Sequence, residues 1–73
     1  MRMKESAVYR DWINSPSDLA ARARIQVRVD RLVHGNPGTH RQLADGVTEL
    51  KIDFGPGYRV YYTIRGTSLL LLL

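Results

Sequence analysis

The sequence predicts an α+β domain in which a two-helix hairpin packs on one face of a small curved antiparallel β-sheet. Three observations predict this fold. Apolar residues recur with helical spacing in the first half of the chain, they alternate with polar residues from Val47 onward, and glycine-rich turns separate the alternating segments. Because 73 residues are about half of a typical domain, residues 1–73 are expected to form a single domain.

The first predicted helix follows a short segment, residues 1–6, that is compatible with an edge strand. The helix is expected to end near Asn14. Four apolar residues fall on one side of it: Val8, Tyr9, Trp12 and Ile13. Trp12 is expected in the core, where it anchors the helix hairpin.

The second predicted helix runs from Pro16 to about Val33. Ser15 is the expected N-cap, Pro16 suits the first helical position, and Gly35 suits the left-handed cap at the other end. One face of this helix is apolar: Ala21, Ile25, Val29, Leu32 and Val33. An adjacent stripe is basic: Arg24, Arg28 and Arg31.

Three strands are predicted in the second half of the chain, after a polar connection over residues 39–46 with Leu43 as its apolar anchor. The first two join at Gly55-Pro56-Gly57, and the third covers residues 68–73. Alternation places one set of side chains on the face opposite the helices: Glu49, Lys51, Asp53, Arg59, Tyr61, Thr63 and Arg65. The leucine run, residues 69–73, does not alternate, so its strand is expected to be covered on both faces or paired centrally.

The charge of the chain favours a polyanionic or acidic partner. The net charge is +4, and nine of the eleven basic residues are arginine, whose planar fork suits phosphate and carboxylate. Ordinary solubility charge is the alternative explanation.

The same composition argues against a bound metal, a cofactor or a membrane span. The absence of cysteine excludes disulfides and thiolate metal sites, and His34 and His40 are not spaced as a pair of ligands on one helix. No metal or cofactor is expected. The leucine run is far shorter than the roughly 20 residues of a membrane span, and no leader peptide is visible, so a cytoplasmic location without a membrane partner is expected.

Three stretches together resemble a known protein family. They are Ala21-Arg-Ala-Arg-Ile25 with Val29-Asp-Arg-Leu32, then Gly35-Asn-Pro-Gly38, and above all Gly46-Val-Thr-Glu-Leu-Lys-Ile-Asp-Phe-Gly-Pro-Gly-Tyr-Arg-Val-Tyr-Tyr62. In these blocks the chain resembles the addiction-module killer proteins of the RelE/ParE superfamily, close to the HigB type. The resemblance implies a RelE-like fold and the toxin of a bacterial type II toxin–antitoxin system, neutralised by a small helix-turn-helix, HigA-like antitoxin.

The resemblance also implies an activity and its alternatives. Many members of the superfamily are mRNA interferases, endoribonucleases that cut messenger RNA on the ribosome and inhibit translation, whereas ParE-like members poison gyrase. Members usually continue beyond the leucine-rich strand with a further segment and a last helix that add basic residues and an aromatic or histidine side chain. This sequence stops at Leu73, so an inactive, truncated toxin that only binds its antitoxin is a third alternative.

Two residues are the expected catalytic groups for RNA cleavage. Arg59 falls where the family block has its phosphate-stabilising arginine, and Lys51 is expected beside it on the neighbouring strand. The alternatives are a cross-strand ion pair of Arg59 with Glu49 or Asp53, and ordinary strand alternation at Lys51.

Further residues are expected to bind RNA or a protein partner: Arg24, Arg28, Arg31, Tyr61 and Arg65. The helix arginines suit phosphates or antitoxin carboxylates, and Tyr61 suits stacking on a base. A solvated helix face and an exposed strand aromatic are the alternatives. A sheet ending in exposed leucines is also expected to leave an unprotected edge, which favours antitoxin binding or a homodimer.

Overall fold

The structure is a computed structural model that describes residues 1–15 and 18–73. Over these residues the chain forms two α-helices and one five-stranded sheet. In chain order the elements are β1 (Arg2–Glu5), α1 (Ala7–Asn14), α2 (Leu19–Val33), β2 (His40–Gln42), a 3-10 turn (Ala44–Gly46), β3 (Val47–Ile52), β4 (Tyr58–Arg65) and β5 (Ser68–Leu71). The α+β class is therefore confirmed.

The sheet is mixed, so the prediction of a purely antiparallel sheet is wrong. Its strand order is β1-β5-β4-β3-β2, and β1 runs parallel to β5 while the other pairs are antiparallel. The helix hairpin carries the chain from β1 to β2 at the opposite edge of the sheet, and the three reversals from β2 to β5 leave β5 running in the same direction as β1. The short N-terminal segment is an edge strand, as the sequence suggested.

The leucine run lies inside the sheet. β5 pairs with β1 on one side and β4 on the other, which confirms the prediction of central pairing. Leu69 and Leu71 are fully buried against the helices. The expected unprotected leucine edge is therefore wrong, since β1 and β2 form the edges.

The core lies between the helices and one face of the sheet. The apolar face of α2 is confirmed, because Ala21, Ile25, Val29 and Leu32 are buried. The sheet supplies Leu50, Ile52, Val60, Tyr62, Leu69 and Leu71, and α1 supplies Tyr9 and Ile13. Trp12 is half-buried against this core, with its ring centroid 5.9 Å from that of Tyr9.

Several details of the predicted elements differ from the structure. Val8 is exposed on α1, so it does not join the core. Asp18 is the N-cap of α2, accepting hydrogen bonds from two backbone N–H groups, whereas Ser15 caps the C-terminus of α1. The predicted role of Pro16 lies outside the described residues.

The segment between α2 and β3 contains a strand that the sequence did not indicate. β2 is three residues long, too short for its alternation to be recognised. Leu43 follows it and is exposed, so its predicted role as an anchor is wrong. Gly35 has a φ of 89°, which confirms the predicted left-handed cap after α2.

Candidate nucleic-acid interface

The face of the sheet opposite the helices carries a concentration of basic side chains. Strand register fixes which residues share this face, because neighbouring partners point the same way and alternate residues point oppositely. Its cations come from all strands but β5: Arg2, Lys4, Arg41, Lys51, Arg59 and Arg65. We refer to this surface as the basic face.

Lys51 and Arg59 are direct partners across β3 and β4. Both side chains are exposed on the basic face, so two positive charges stand side by side without burial. The sequence prediction that these two residues share a face of the sheet is confirmed. Two adjacent cations of this kind are suited to a single phosphate group.

Glu49 is a buried carboxylate within the basic face. It is 3% exposed, although it occupies a row of the sheet that points away from the helices. Oε2 accepts a hydrogen bond from the Tyr61 hydroxyl at 3.1 Å and lies 4.0 Å from Nε of Arg59. Oε1 lies 3.8 Å from Nη2 of Arg41. Glu49 therefore lies close to two arginines of the basic face, at Nε of Arg59 and at Nη2 of Arg41.

The contact between Arg59 and Glu49 leaves most of the guanidinium accessible. The Arg59 side chain is 64% exposed, and Glu49 faces only its Nε. The expected alternative for Arg59, a cross-strand contact with Glu49, is thus present together with the accessible guanidinium that phosphate binding requires. An exposed contact at this distance is weak, about 0 to 1 kcal/mol, so it orients the arginine without withdrawing it from a ligand.

The three helix arginines do not form one free stripe. Nη1 of Arg28 donates to the carbonyl of Lys51 at 2.6 Å, and Nη2 donates to the carbonyls of Pro37 and Thr39 at 2.9 and 3.1 Å. Burial lowers the pKa of Arg28, and the positive charge of Arg31 adds to this effect. Arg28 therefore joins α2 to the following loop and to β3.

Arg24 lies beside Phe54, in the turn between β3 and β4. Its guanidinium carbon stands 5.2 Å from the centre of the Phe54 ring, a cation–π distance. Arg31 is exposed near the C-terminus of α2. All three arginines belong to α2 on the helix side of the sheet, whereas the side chains of Lys51, Tyr61 and Arg65 lie on the basic face.

Sequence reasoning missed three cations of the basic face. Arg2 and Lys4 alternate on β1 and follow the partners Ser68 and Leu70 on β5, and Arg41 lies opposite Glu49 on β2. The alternation of Arg2, Met3 and Lys4 in the sequence could have indicated that the two cations share one face of β1. Nothing in the sequence shows that β1 pairs beside β5, which is what brings its cations to this face.

No cluster of potential metal ligands occurs among residues 1–15 and 18–73. Within the same part of the chain, no helix is long and apolar enough to cross a membrane.

Comparison with known proteins places the chain in a family. It is 37% identical to an uncharacterized protein of Haemophilus influenzae over 73 residues, which are all of this chain and 74% of that protein. No family model matches the chain, and no solved structure matches it significantly. The chain belongs to the same family as the Haemophilus protein.

Proposed function

We propose that this protein is a RelE/ParE-type, HigB-like toxin of a bacterial type II toxin–antitoxin system and that it cleaves messenger RNA on the ribosome. The observation that carries the proposal is the pairing of Lys51 and Arg59 on the basic face. The sequence blocks that resemble the killer proteins include both residues. The cognate antitoxin, a small helix-turn-helix protein, is the proposed protein partner.

The basic face suits an RNA strand because its cations are spread over several strands of the sheet. Phosphate contacts supply most of the affinity of such interfaces, and each contact releases condensed counterions. Arg59 and Lys51 occupy one row of the sheet, while Arg65 lies opposite Ser68, six residues further along β4. At about 3.3 Å per residue this spacing extends over several phosphates of an extended strand.

Arg59 is the proposed catalytic cation. When the 2′-hydroxyl attacks the neighbouring phosphorus, negative charge grows on the phosphate oxygens, and a guanidinium stabilises that charge through paired N–H donors. Lys51 adds a second positive charge to the same phosphate. The Glu49 contact falls on Nε of Arg59, and the largely exposed guanidinium stays accessible to a phosphate.

The test is cleavage of a defined messenger RNA during translation in a reconstituted system, mapped by primer extension. We expect the wild-type protein to cut the message and Arg59→Ala to slow cutting by about 10²-fold or more, since loss of one charge-stabilising donor has an effect of that order. Arg10→Ala is the matched control, because Arg10 is an exposed arginine on α1 whose contact is with Glu5. Its cutting rate should equal that of the wild type.

An intact message in the presence of folded wild-type protein would overturn the nuclease proposal. A DNA supercoiling assay on the same sample then identifies the alternative. Inhibition of gyrase without RNA cleavage selects the ParE-like activity, and the absence of both activities together with antitoxin binding selects an inactive toxin.

A further inference from the structure

A cavity of about 280 Å³ lies at the β1 edge of the sheet, and we refer to it as the edge cavity. β1, α1 and α2 line it with one stripe of residues each: Met3 and Glu5, then Tyr9 and Ile13, then Gln26, Asp30 and Val33. A spacing of two on a strand, and of four or seven on a helix, places each stripe on one side of its element. The edge cavity is therefore formed where both helices dock against the edge strand.

The edge cavity lies on the helix side of the sheet, away from the basic face. Met3 and Glu5 are the register partners of Leu69 and Leu71, which are buried beneath the helices. Arg2 and the other cation of β1 point to the opposite side of the strand. A ligand in the edge cavity would thus be separated from the cations proposed to hold RNA.

Two carboxylates from different elements give the edge cavity a negative charge, although the chain as a whole carries +4. Glu5 comes from β1 and Asp30 from α2, and no lysine or arginine is among the described residues that line the cavity. Nε of Arg10 lies 3.7 Å from Glu5, and Nδ1 of His34 lies 3.9 Å from Asp30. Both of these cationic side chains are largely exposed, so their contacts are weak and a ligand cation can replace them.

The Tyr9 hydroxyl is a buried polar group that the protein leaves without a partner. Tyr9 is 2% exposed, and among residues 1–15 and 18–73 nothing forms a hydrogen bond with its hydroxyl. Glu5 helps to raise the pKa of Tyr9, which places the hydroxyl on the Glu5 side of the edge cavity. Buried polar groups are rarely unpaired, and a neutral hydroxyl oxygen accepts a hydrogen bond from a ligand N–H group.

The rest of the wall is aliphatic. Met3, Ile13 and Val33 supply it, and Ile13 belongs to the core. Burial of a methylene chain against such a wall is favourable. Because 280 Å³ is below the volume typical of sites for drug-sized ligands, the edge cavity suits a short chain.

We propose that the edge cavity binds an aliphatic α,ω-diamine, a short methylene chain with an ammonium group at each end. One ammonium group donates to the Glu5 carboxylate and the Tyr9 hydroxyl, and the methylenes lie on the aliphatic wall. The other ammonium group pairs with Asp30. An ammonium group has three donors and no acceptor, so it matches a site whose charged and unpaired groups are acceptors.

Methyl NMR spectra test the proposal directly, because Met3 and Ile13 both line the edge cavity. We expect 1,4-diaminobutane to shift the methyl signals of these two residues in a saturable manner. The methyl signals of Ile52, which lies on β3, three strands away from β1, should not move. Butylamine at matched ionic strength should bind about tenfold more weakly or less, since it lacks the second charge-assisted contact.

Three variants assign the contacts. Asp30→Asn removes one charge from an exposed residue, and it should bring the affinities for 1,4-diaminobutane and butylamine to within about twofold of each other. Asp11→Asn is the matched control, because Asp11 is exposed on α1 and is not a lining residue of the edge cavity; it should keep the preference of the wild type. Tyr9→Phe keeps the ring and should weaken diamine binding by about threefold or more. Circular dichroism verifies that each variant is folded.

Equal affinities of the wild type for 1,4-diaminobutane and butylamine would overturn the proposal, as would an unchanged preference in Asp30→Asn. Nα-acetyl-lysine amide presents one ammonium group on the chain of a protein side chain. If it bound as tightly as the diamine, the edge cavity would be a site for a basic side chain and the diamine proposal would be wrong.

The same titration is independent of the proposed action on RNA. Arg59→Ala should bind 1,4-diaminobutane as the wild type does, because Arg59 lies on the basic face. Saturable diamine binding by a protein that cleaves no RNA would leave the edge cavity in place and contradict the proposed function. RNA cleavage without diamine binding would do the reverse.

Discussion

Tyr61 donates a hydrogen bond from its hydroxyl to Oε2 of Glu49, 3.1 Å away, and the two residues are direct partners across β3 and β4. The same carboxylate lies near Arg41 of β2 and Arg59 of β4. Glu49 is buried because its neighbours on the sheet cover it, even though neither α1 nor α2 lies on that face. The basic face therefore contains its own internal counter-ion.

Removing the Tyr61 hydroxyl should destabilise the fold. Tyr61→Phe leaves Glu49 buried with one donor fewer, and we expect the free energy of unfolding in urea to fall by about 1 to 3 kcal/mol. The double variant Tyr61→Phe with Glu49→Ala tests the pair, because the two losses should not add when both partners of one bond are removed. Strict additivity would show that the bond contributes nothing.

Lys51 and Arg59, which are partners across β3 and β4, should each contribute one phosphate contact. In a plot of the logarithm of RNA affinity against the logarithm of salt concentration, Lys51→Ala and Arg59→Ala should each reduce the slope by about 0.7 for single-stranded RNA. Arg10→Ala should leave the slope at the wild-type value. An unchanged slope in both Lys51→Ala and Arg59→Ala would show that the RNA binds elsewhere on the protein.

Arg28 should matter for stability far more than its helical neighbour Arg31. Arg28→Ala removes three hydrogen bonds from a charged donor to the carbonyls of Pro37, Thr39 and Lys51, and a loss of about 2 to 4 kcal/mol in urea unfolding is expected. The exposed Arg31→Ala should stay within about 0.5 kcal/mol of the wild type. Equal effects of the two substitutions would contradict the bracing role of Arg28.

Ser6 connects the start of α1 to the chain after β5, and its replacement should destabilise the fold. Its hydroxyl accepts from the N–H of Tyr9 at 3.0 Å, which caps α1, and donates to the carbonyl of Leu72 at 2.7 Å. Ser6→Ala should lower the free energy of unfolding by about 1 to 3 kcal/mol. Ser15→Ala is the matched control, because Ser15 is exposed and its hydroxyl donates to the Trp12 carbonyl at the end of the same helix; thermal melts of the two variants should differ clearly.

Tyr9 should make the fold sensitive to alkaline pH. Burial, together with the charge of Glu5, raises the pKa of Tyr9 from 10.0 to about 12. Its stabilising effect is complete below pH 10.0 and is lost between pH 10.0 and about 12, because the unfolded chain releases this proton first.

Urea unfolding at two pH values checks this expectation. The contribution of Tyr9 should fall by about 1 kcal/mol between pH 8 and pH 11. Tyr9→Phe cannot ionise, so its stability should decline less than that of the wild type over the same interval. Identical declines would show that another group governs the alkaline transition.

Local sequence patterns were enough for the elements that repeat over many residues. The apolar stripe of α2 and the alternation of β3 and β4 predicted the buried residues of the helix layer and the shared face of Lys51 and Arg59, because periodicity in sequence maps directly onto one side of a helix or strand. β2, at three residues, is too short to show a period. Val8 has the spacing of the apolar face of α1 but is exposed.

The sequence by itself determined the α+β class, the apolar faces and the side of the sheet on which Arg59 lies. Only the tertiary structure decided that β1 runs parallel to β5, that Arg2, Lys4 and Arg41 join the basic face, and that Glu5, Tyr9 and Asp30 line one cavity. The physical reason is that strand pairing and helix docking depend on contacts between residues far apart in the chain. A local pattern states which side of an element is apolar, but it carries no information about which element lies beside it.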